Sequence, residues 1–180
     1  KILPQERALQ QLINLEVDNE VICEALIETN SWESLEKFAE PRSENNLAIT
    51  KYYAQSLFEQ QQYTKAIPVL ETLYKDNTED MDIGWWYARS LELTEKIEEA
   101  KEIYSSIGPK GGYRLGILLE KEGNTDSALE AFSSSDEAVS LWKAARMQEE
   151  AGMKEAALET YLKITEFESS YQDDAAYRAY

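Results

Sequence analysis

The chain has 180 residues, 43% of them hydrophobic, so it is long enough and apolar enough to bury a core. Its 35 acidic residues exceed its 18 basic residues, which gives a net charge of −17 at neutral pH. Phosphate groups repel such a surface, so nucleic acid and anionic membranes are not expected partners, whereas a basic protein or peptide would be attracted. No apolar run approaches the roughly 18 residues that a membrane-spanning helix needs.

The chain lacks the residues of the commonest catalytic and metal sites. Histidine is absent, and Cys23 is the only cysteine. Ser-His and Cys-His nucleophiles are therefore excluded within this chain, and so are zinc sites built from cysteine and histidine clusters. Cys23 follows Val21 and Ile22 in an apolar run, which favours a buried thiol over a reactive one. We expect no catalytic residue, no metal site and no cofactor.

Residues 1–46 are predicted to be helical. An amphipathic pattern covers residues 4–16, and two further helices are expected at 18–29 and 32–40, the last one ending before a proline. Residues 17–39 would then form one more degenerate helix pair behind an end helix, or the whole segment would serve as a cap.

A short pattern recurs four times in the rest of the chain. In each copy a turn and charged residues precede an alanine, and a large apolar or aromatic residue follows four positions later. The alanines are Ala66, Ala100, Ala128 and Ala157. Twelve positions earlier stands another small residue, which is Ala54, Ala88, Gly116 or Ala145. Apolar residues recur at intervals of three and four, which indicates helices, and small residues at fixed points on two successive helices allow close approach.

This pattern resembles the tetratricopeptide repeat, a helix-turn-helix unit of about 34 residues with small residues where its helices pack. The resemblance implies an all-α fold, a right-handed superhelix or solenoid of antiparallel helix pairs. It places repeats at residues 47–80, 81–108, 109–137 and 138–171, with a partial repeat at 172–180.

The repeats depart from the family pattern in two respects. The second helices of the second and third repeats are predicted to be short, ending near Gly108 and near residues 133–135. The tryptophan typical of the family's first helix is replaced, in the order of the repeats, by Thr50, Gly84, Gly112 and Leu141.

The resemblance also implies where a ligand would lie. Solenoids of this kind bind on a concave face lined by their first helices. The ligand-facing residues would stand three positions before and one after the small residue of each first helix. The earlier set is Lys51, Trp85, Tyr113, Trp142 and Ala176. The later set is Gln55, Arg89, Ile117, Arg146 and Tyr180.

Two interpretations of these residues stay open. Trp, Tyr and Arg are enriched at binding hot spots, and arginines on one face would suit a carboxylate or backbone carbonyls. The aromatic residues are alternatively explained by packing between repeats, and the adjacent Trp85 and Trp86 cannot both point fully inward.

We therefore predict a non-catalytic scaffold or adaptor that holds a peptide or protein on its concave face. One alternative is the helical accessory region of a larger enzyme, such as a lytic transglycosylase, because residues 167–178 resemble repeat joins of bacterial cell-envelope members. Another is a structural module that self-associates through its solenoid ends, which need caps. We expect the chain to be part of a longer protein, since it begins at Lys1 rather than methionine. Its compartment stays open between the cytoplasm and the periplasm or cell envelope, with a preference for the envelope.

Overall fold

The computed structural model describes residues 4–44 and 46–179, and all regular structure in these residues is helical. The α-helices are α1 Pro4–Asn14, α2 Asn19–Glu28, α3 Trp32–Ala39, α4 Leu47–Glu59, α5 Tyr63–Asp76, α6 Met81–Leu93, α7 Ile97–Ser106, α8 Pro109–Lys121, α9 Thr125–Ser134, α10 Ala138–Glu150, α11 Lys154–Ile164 and α12 Gln172–Ala179. A 3-10 turn at Glu40–Arg42 follows α3. None of the described helices combines the length and the apolar composition that a membrane crossing requires.

The chain divides into two compact units, Lys1–Thr94 and Glu95–Tyr180. In unit 1, α2 packs against α3, α3 against α4, α4 against α5, and α5 against α6. In unit 2, each helix from α7 to α12 packs against the next one. We call α2, α4, α6, α8, α10 and α12 the first helices and the intervening ones the second helices. First helices also contact one another within a unit, α2 with α4, α4 with α6, and α8 with α10.

Helices α1, α2 and α3 share a buried core with α4. The α2–α3 pair buries Ile22, Cys23, Leu35 and Phe38 in one cluster with Ile49 of α4. Helix α1 lies against the same cluster through its apolar face. Helix α3 also packs on α4, and both lie in unit 1, which ends at residue 94.

The turn that follows several first helices has one recurring geometry. A residue with positive φ follows the helix, and the next backbone N–H donates to a carbonyl five residues earlier. This hydrogen bond occupies a carbonyl of the last turn that has no partner within the helix. The positive-φ residues are Asn30 after α2, Gln61 after α4, Gly123 after α8 and Gly152 after α10. The four closing N···O distances are 2.8, 2.8, 3.0 and 2.8 Å. These tight turns fold each second helix back along its first helix.

The small residues of the repeat pattern lie where the helices meet. All eight are buried, as the sequence predicts, and most have no exposed surface. The large residues four positions after each second-helix alanine are buried too, namely Leu70, Tyr104, Phe132 and Tyr161. Helices α7 and α9 end at Ser106 and Ser134, close to the predicted ends of the two short second helices.

Helix α8 makes the closest approaches through its glycines. A Cβ atom built on Gly116 would lie 2.5 Å from the ring of Phe132, and one on Gly111 would overlap the backbone carbonyl of Tyr104. Real Cβ atoms do not come so close to other heavy atoms, so α8 can take this position against α7 and α9 only with glycine at these points.

We expect the Gly116→Ala substitution to lower the free energy of unfolding by about 1–3 kcal/mol, because the added methyl group overpacks the site beside Phe132. Gly111→Ala should cost more, since a backbone carbonyl cannot rotate away as a ring can. Chemical denaturation measures both, with Lys121→Ala at an exposed position of α8 as the control.

By helix propensity alone, replacing glycine with alanine would stabilise α8 by about 1 kcal/mol. A neutral or stabilising effect at Gly116 would therefore contradict the close packing of α8 on α9.

Candidate functional site

Of the ten residues predicted to face a ligand, the eight in the four full repeats all lie half-buried on first helices. Four belong to unit 1, with Lys51 and Gln55 on α4 and Trp85 and Arg89 on α6. Four belong to unit 2, with Tyr113 and Ile117 on α8 and Trp142 and Arg146 on α10. Of the two residues in the partial repeat, Ala176 is half-buried on α12, and Tyr180 lies outside the described residues.

The two tryptophans of α6 pack across the contact between two first helices. The ring centroid of Phe58 on α4 lies 5.7 Å from that of Trp85, edge to face, and 6.4 Å from that of Trp86. The Lys51 ammonium group lies 5.9 Å from the centroid of the Trp86 ring, within the range of a cation–π contact. Both adjacent tryptophans therefore remain half-buried against α4. Phe58 is a further residue of this contact that could have been predicted, because it stands seven positions after Lys51 on the same helix face.

Lys51 is held by the first turn of α6. Its Nζ donates to Oδ2 of Asp80 at 2.6 Å, while Oδ1 of Asp80 accepts from the backbone N–H groups of Asp82 and Ile83 and so caps the helix. Burial would raise the pKa of Asp80, but the hydrogen bond from Lys51 and those from the two amides outweigh it and lower the pKa below its usual value. The carboxylate is therefore ionised at neutral pH, and the pair links α4 to α6.

An open cavity of about 340 Å³ lies beside this pair in unit 1. Its apolar lining comes from three helices, with Leu47 and Ala48 on α4, Leu73 on α5 and Ile83 on α6, and the Lys51–Asp80 pair completes it. Such a volume falls within the range of about 300–1,000 Å³ that is common for ligand pockets.

The predicted arginines are both paired with acids of their own helix. Nη1 of Arg89 lies 2.8 Å from Oε2 of Glu92, and Nη2 of Arg146 lies 3.3 Å from Oε1 of Glu150. Glu149 is a further neighbour of Arg146 at 3.9 Å. A carboxylate ligand would have to compete with these acids. The partners could have been found in the sequence, because they stand three and four positions after the arginines, where helical side chains meet.

Trp142 of unit 2 belongs to an aromatic cluster formed by three helices and the loop between the last two. Its ring centroid lies 5.4 Å from that of Tyr161 on α11 and 5.6 Å from that of Tyr171. The guanidinium of Arg178 on α12 lies 5.8 Å from the centroid of the Trp142 ring and donates to both carboxylate oxygens of Glu149, at 2.8 and 3.1 Å. The Tyr161 hydroxyl donates to the same carboxylate at 3.0 Å. Trp142 thus joins consecutive first helices.

The two remaining residues of unit 2 also contribute to packing. Tyr113 and Ile117 lie against the buried cluster of Ala128, Phe132 and Ala144, and the Tyr113 and Phe132 ring centroids are 6.3 Å apart. The predicted residues therefore have different surroundings. Lys51 lines an open cavity, whereas Trp85, Tyr113 and Trp142 are in contact with neighbouring helices.

Comparisons with known proteins agree with this architecture. Residues 57–112 and residues 139–167 match two family models, each described as a tetratricopeptide repeat. No curated protein sequence matches the chain.

Several solved structures are similar to the chain. A crystal structure of the MamA protein has a TM-score of 0.65 at 13% identity, over 88% of this chain and 93% of that one. MamA from Desulfovibrio magneticus RS-1 has a TM-score of 0.61 at 14% identity, over 82% and 92%. YrrB, described as a TPR protein with an unusual peptide-binding site, has a TM-score of 0.59 at 16% identity, over 93% and 95%.

Identities this low establish a shared fold and nothing about ligands. The family matches supply the second line of evidence, because they fall on the helix pairs whose small residues are buried. The chain is a tetratricopeptide-repeat protein with the all-α solenoid fold.

Proposed function

We propose that this protein is a non-catalytic scaffold that binds a protein or peptide partner on the first-helix face of unit 1. By this face we mean the surface formed by Lys51, Gln55, Trp85 and Arg89. The observation that carries the proposal is the open apolar cavity beside Lys51, a residue that the family pattern marks as ligand-facing. Members of the tetratricopeptide-repeat family bind protein or peptide partners, which supports the same role here.

The composition supports binding rather than catalysis. The chain has no histidine, and its one thiol is Cys23, which has no exposed surface. Burial raises the pKa of Cys23 to about 11, so the thiol is protonated at neutral pH and is a poor nucleophile.

The surroundings of the aromatic residues favour unit 1 over unit 2. Trp142 is in contact with Tyr161, Tyr171 and Arg178, so part of its surface is already covered by α11, α12 and the loop between them. In unit 1, the cavity beside Lys51 is open as the helices stand.

The experiment is affinity capture from lysate with the whole chain and a Gln55→Ala/Arg89→Ala variant. Truncating residues at the centre of an interface commonly costs more than about 1 kcal/mol, so we expect the retained partner to fall at least about fivefold. The matched control is Thr64→Ala/Thr72→Ala, which changes two exposed residues of the second helix α5.

Circular dichroism and the unfolding midpoint must first show that all three proteins are equally folded. Loss of the partner in the control but not in the first-helix variant would reject the proposed face, and equal retention by all three would do so too.

Self-association is a second candidate function, favoured by the exposed apolar surface of α11. Leu158 and Leu162 stand one helical turn apart on this helix, and they are 42% and 46% exposed. Adjacent exposed leucines favour contact with another apolar surface, which a second copy of the chain would provide.

If α11 mediates self-association, the parent chain will show a concentration-dependent mass in sedimentation velocity, and Leu158→Glu/Leu162→Glu will sediment as a monomer. The control is Leu15→Glu/Val21→Glu, which alters two exposed apolar residues of unit 1 and should behave as the parent does. A parent that stays monomeric over the whole concentration range would rule this function out.

A further inference from the structure

We infer that the cavity between α4, α5 and α6 receives a large apolar side chain from a basic segment of the partner, one in which Lys or Arg residues flank the apolar anchor. This inference rests on the proposed function for the existence of a partner, and it adds the partner's chemistry.

The cavity lining includes one exposed apolar residue, and a second one stands next to a lining residue in the chain. Leu47 on α4 is 56% exposed, and Met81 on α6, which adjoins the lining residue Asp80 in the chain, is 51% exposed. The two residues start consecutive first helices and are 81 − 47 = 34 positions apart, so they are equivalent in the repeat. Covering exposed apolar side chains with an apolar group of the partner lowers the free energy of the complex. Methionine can adapt its shape to such a group.

The surroundings of the cavity are strongly acidic. Residues 76–82 contain four acids, Asp76, Glu79, Asp80 and Asp82, and no basic residue. Three of these acids are exposed, namely Asp76, Glu79 and Asp82. All three stand within four positions of the cavity residue Asp80 in the chain. Basic residues on either side of an apolar anchor would therefore meet negative potential, which speeds encounter and selects the partner.

The two nearby lysines, Lys51 and Lys75, are already paired with acids, so they do not offset the negative potential. Lys51 donates to Asp80 at 2.6 Å, and Lys75 donates to Glu71 at 2.6 Å. The low pKa of Asp80 keeps the first pair ionised at neutral pH, so Lys51 forms part of the cavity wall with its charge already balanced. An acidic segment would thus find little uncompensated positive charge here.

A second copy of the chain is disfavoured as the occupant by the same electrostatics. Each copy carries a net charge of −17, so two acidic surfaces would repel each other at this cavity.

The test is fluorescence anisotropy with the whole chain and three labelled heptapeptides. The first has the sequence Lys-Arg-Gly-Phe-Gly-Arg-Lys, the second replaces its Phe with Ala, and the third replaces its four basic residues with Glu. We expect saturable binding of the first peptide, weakened at least about tenfold by the Ala replacement, and no binding of the acidic peptide. Binding of the first peptide should also weaken as salt screens the acids.

The cavity can also be filled by enlarging one of the protein's own lining residues. Ala48→Phe should weaken the first peptide at least about tenfold, whereas Ala138→Phe, a matched control at the start of α10, should not. Because Ala48→Phe could disturb the helices, Leu47→Ser changes only one exposed lining residue and should weaken the same peptide.

Equal binding of the acidic and basic peptides, binding that survives both protein variants, or no binding at millimolar concentration would each overturn the inference. The proposed function is judged separately. A lysate partner retained by Ala48→Phe but lost by Gln55→Ala/Arg89→Ala would reject this cavity while leaving the first-helix face in place.

Discussion

The close approach of paired helices at small residues is the constraint on which the other features depend. Ala54 and Ala66 in the first full repeat, and their counterparts in the next three, are buried, so large neighbours such as Leu70 and Phe132 can fill the space beside them. This spacing sets the tilt of each second helix against its first helix. The spacing also aligns the first helices side by side within a unit, which is why Lys51 reaches Asp80 and Phe58 reaches Trp85.

Much of this packing could be predicted from the sequence because it follows a repeat period. The buried small residues, the large residue four positions later and the short second helices α7 and α9 all appear in the structure where the pattern predicts them. The surroundings of the candidate site could not be predicted in this way. The loop between α11 and α12 brings Tyr171 to Trp142, and both tryptophans of α6 lie beside Phe58 of α4. Neither arrangement is encoded in a repeat spacing.

The same repeat position serves different purposes in different repeats. On α10 the residue at this position, Trp142, contacts Arg178 of the following first helix, which in turn binds Glu149. On α4 it is Lys51, which pairs with Asp80 and lines an apolar cavity. A family pattern identifies the position, and the neighbouring helices then determine whether its side chain packs against them or lines a cavity.

The central claim is that a partner contacts the first helices of unit 1, and site-specific photo-crosslinking tests it most directly. A photoreactive phenylalanine derivative would be placed at Gln55 on the first helix α4 and, in a separate protein, at the exposed Thr72 on the second helix α5. The account predicts a crosslinked partner from position 55 and none from position 72. Crosslinking from position 72 alone would place the partner on the second helices and contradict the account.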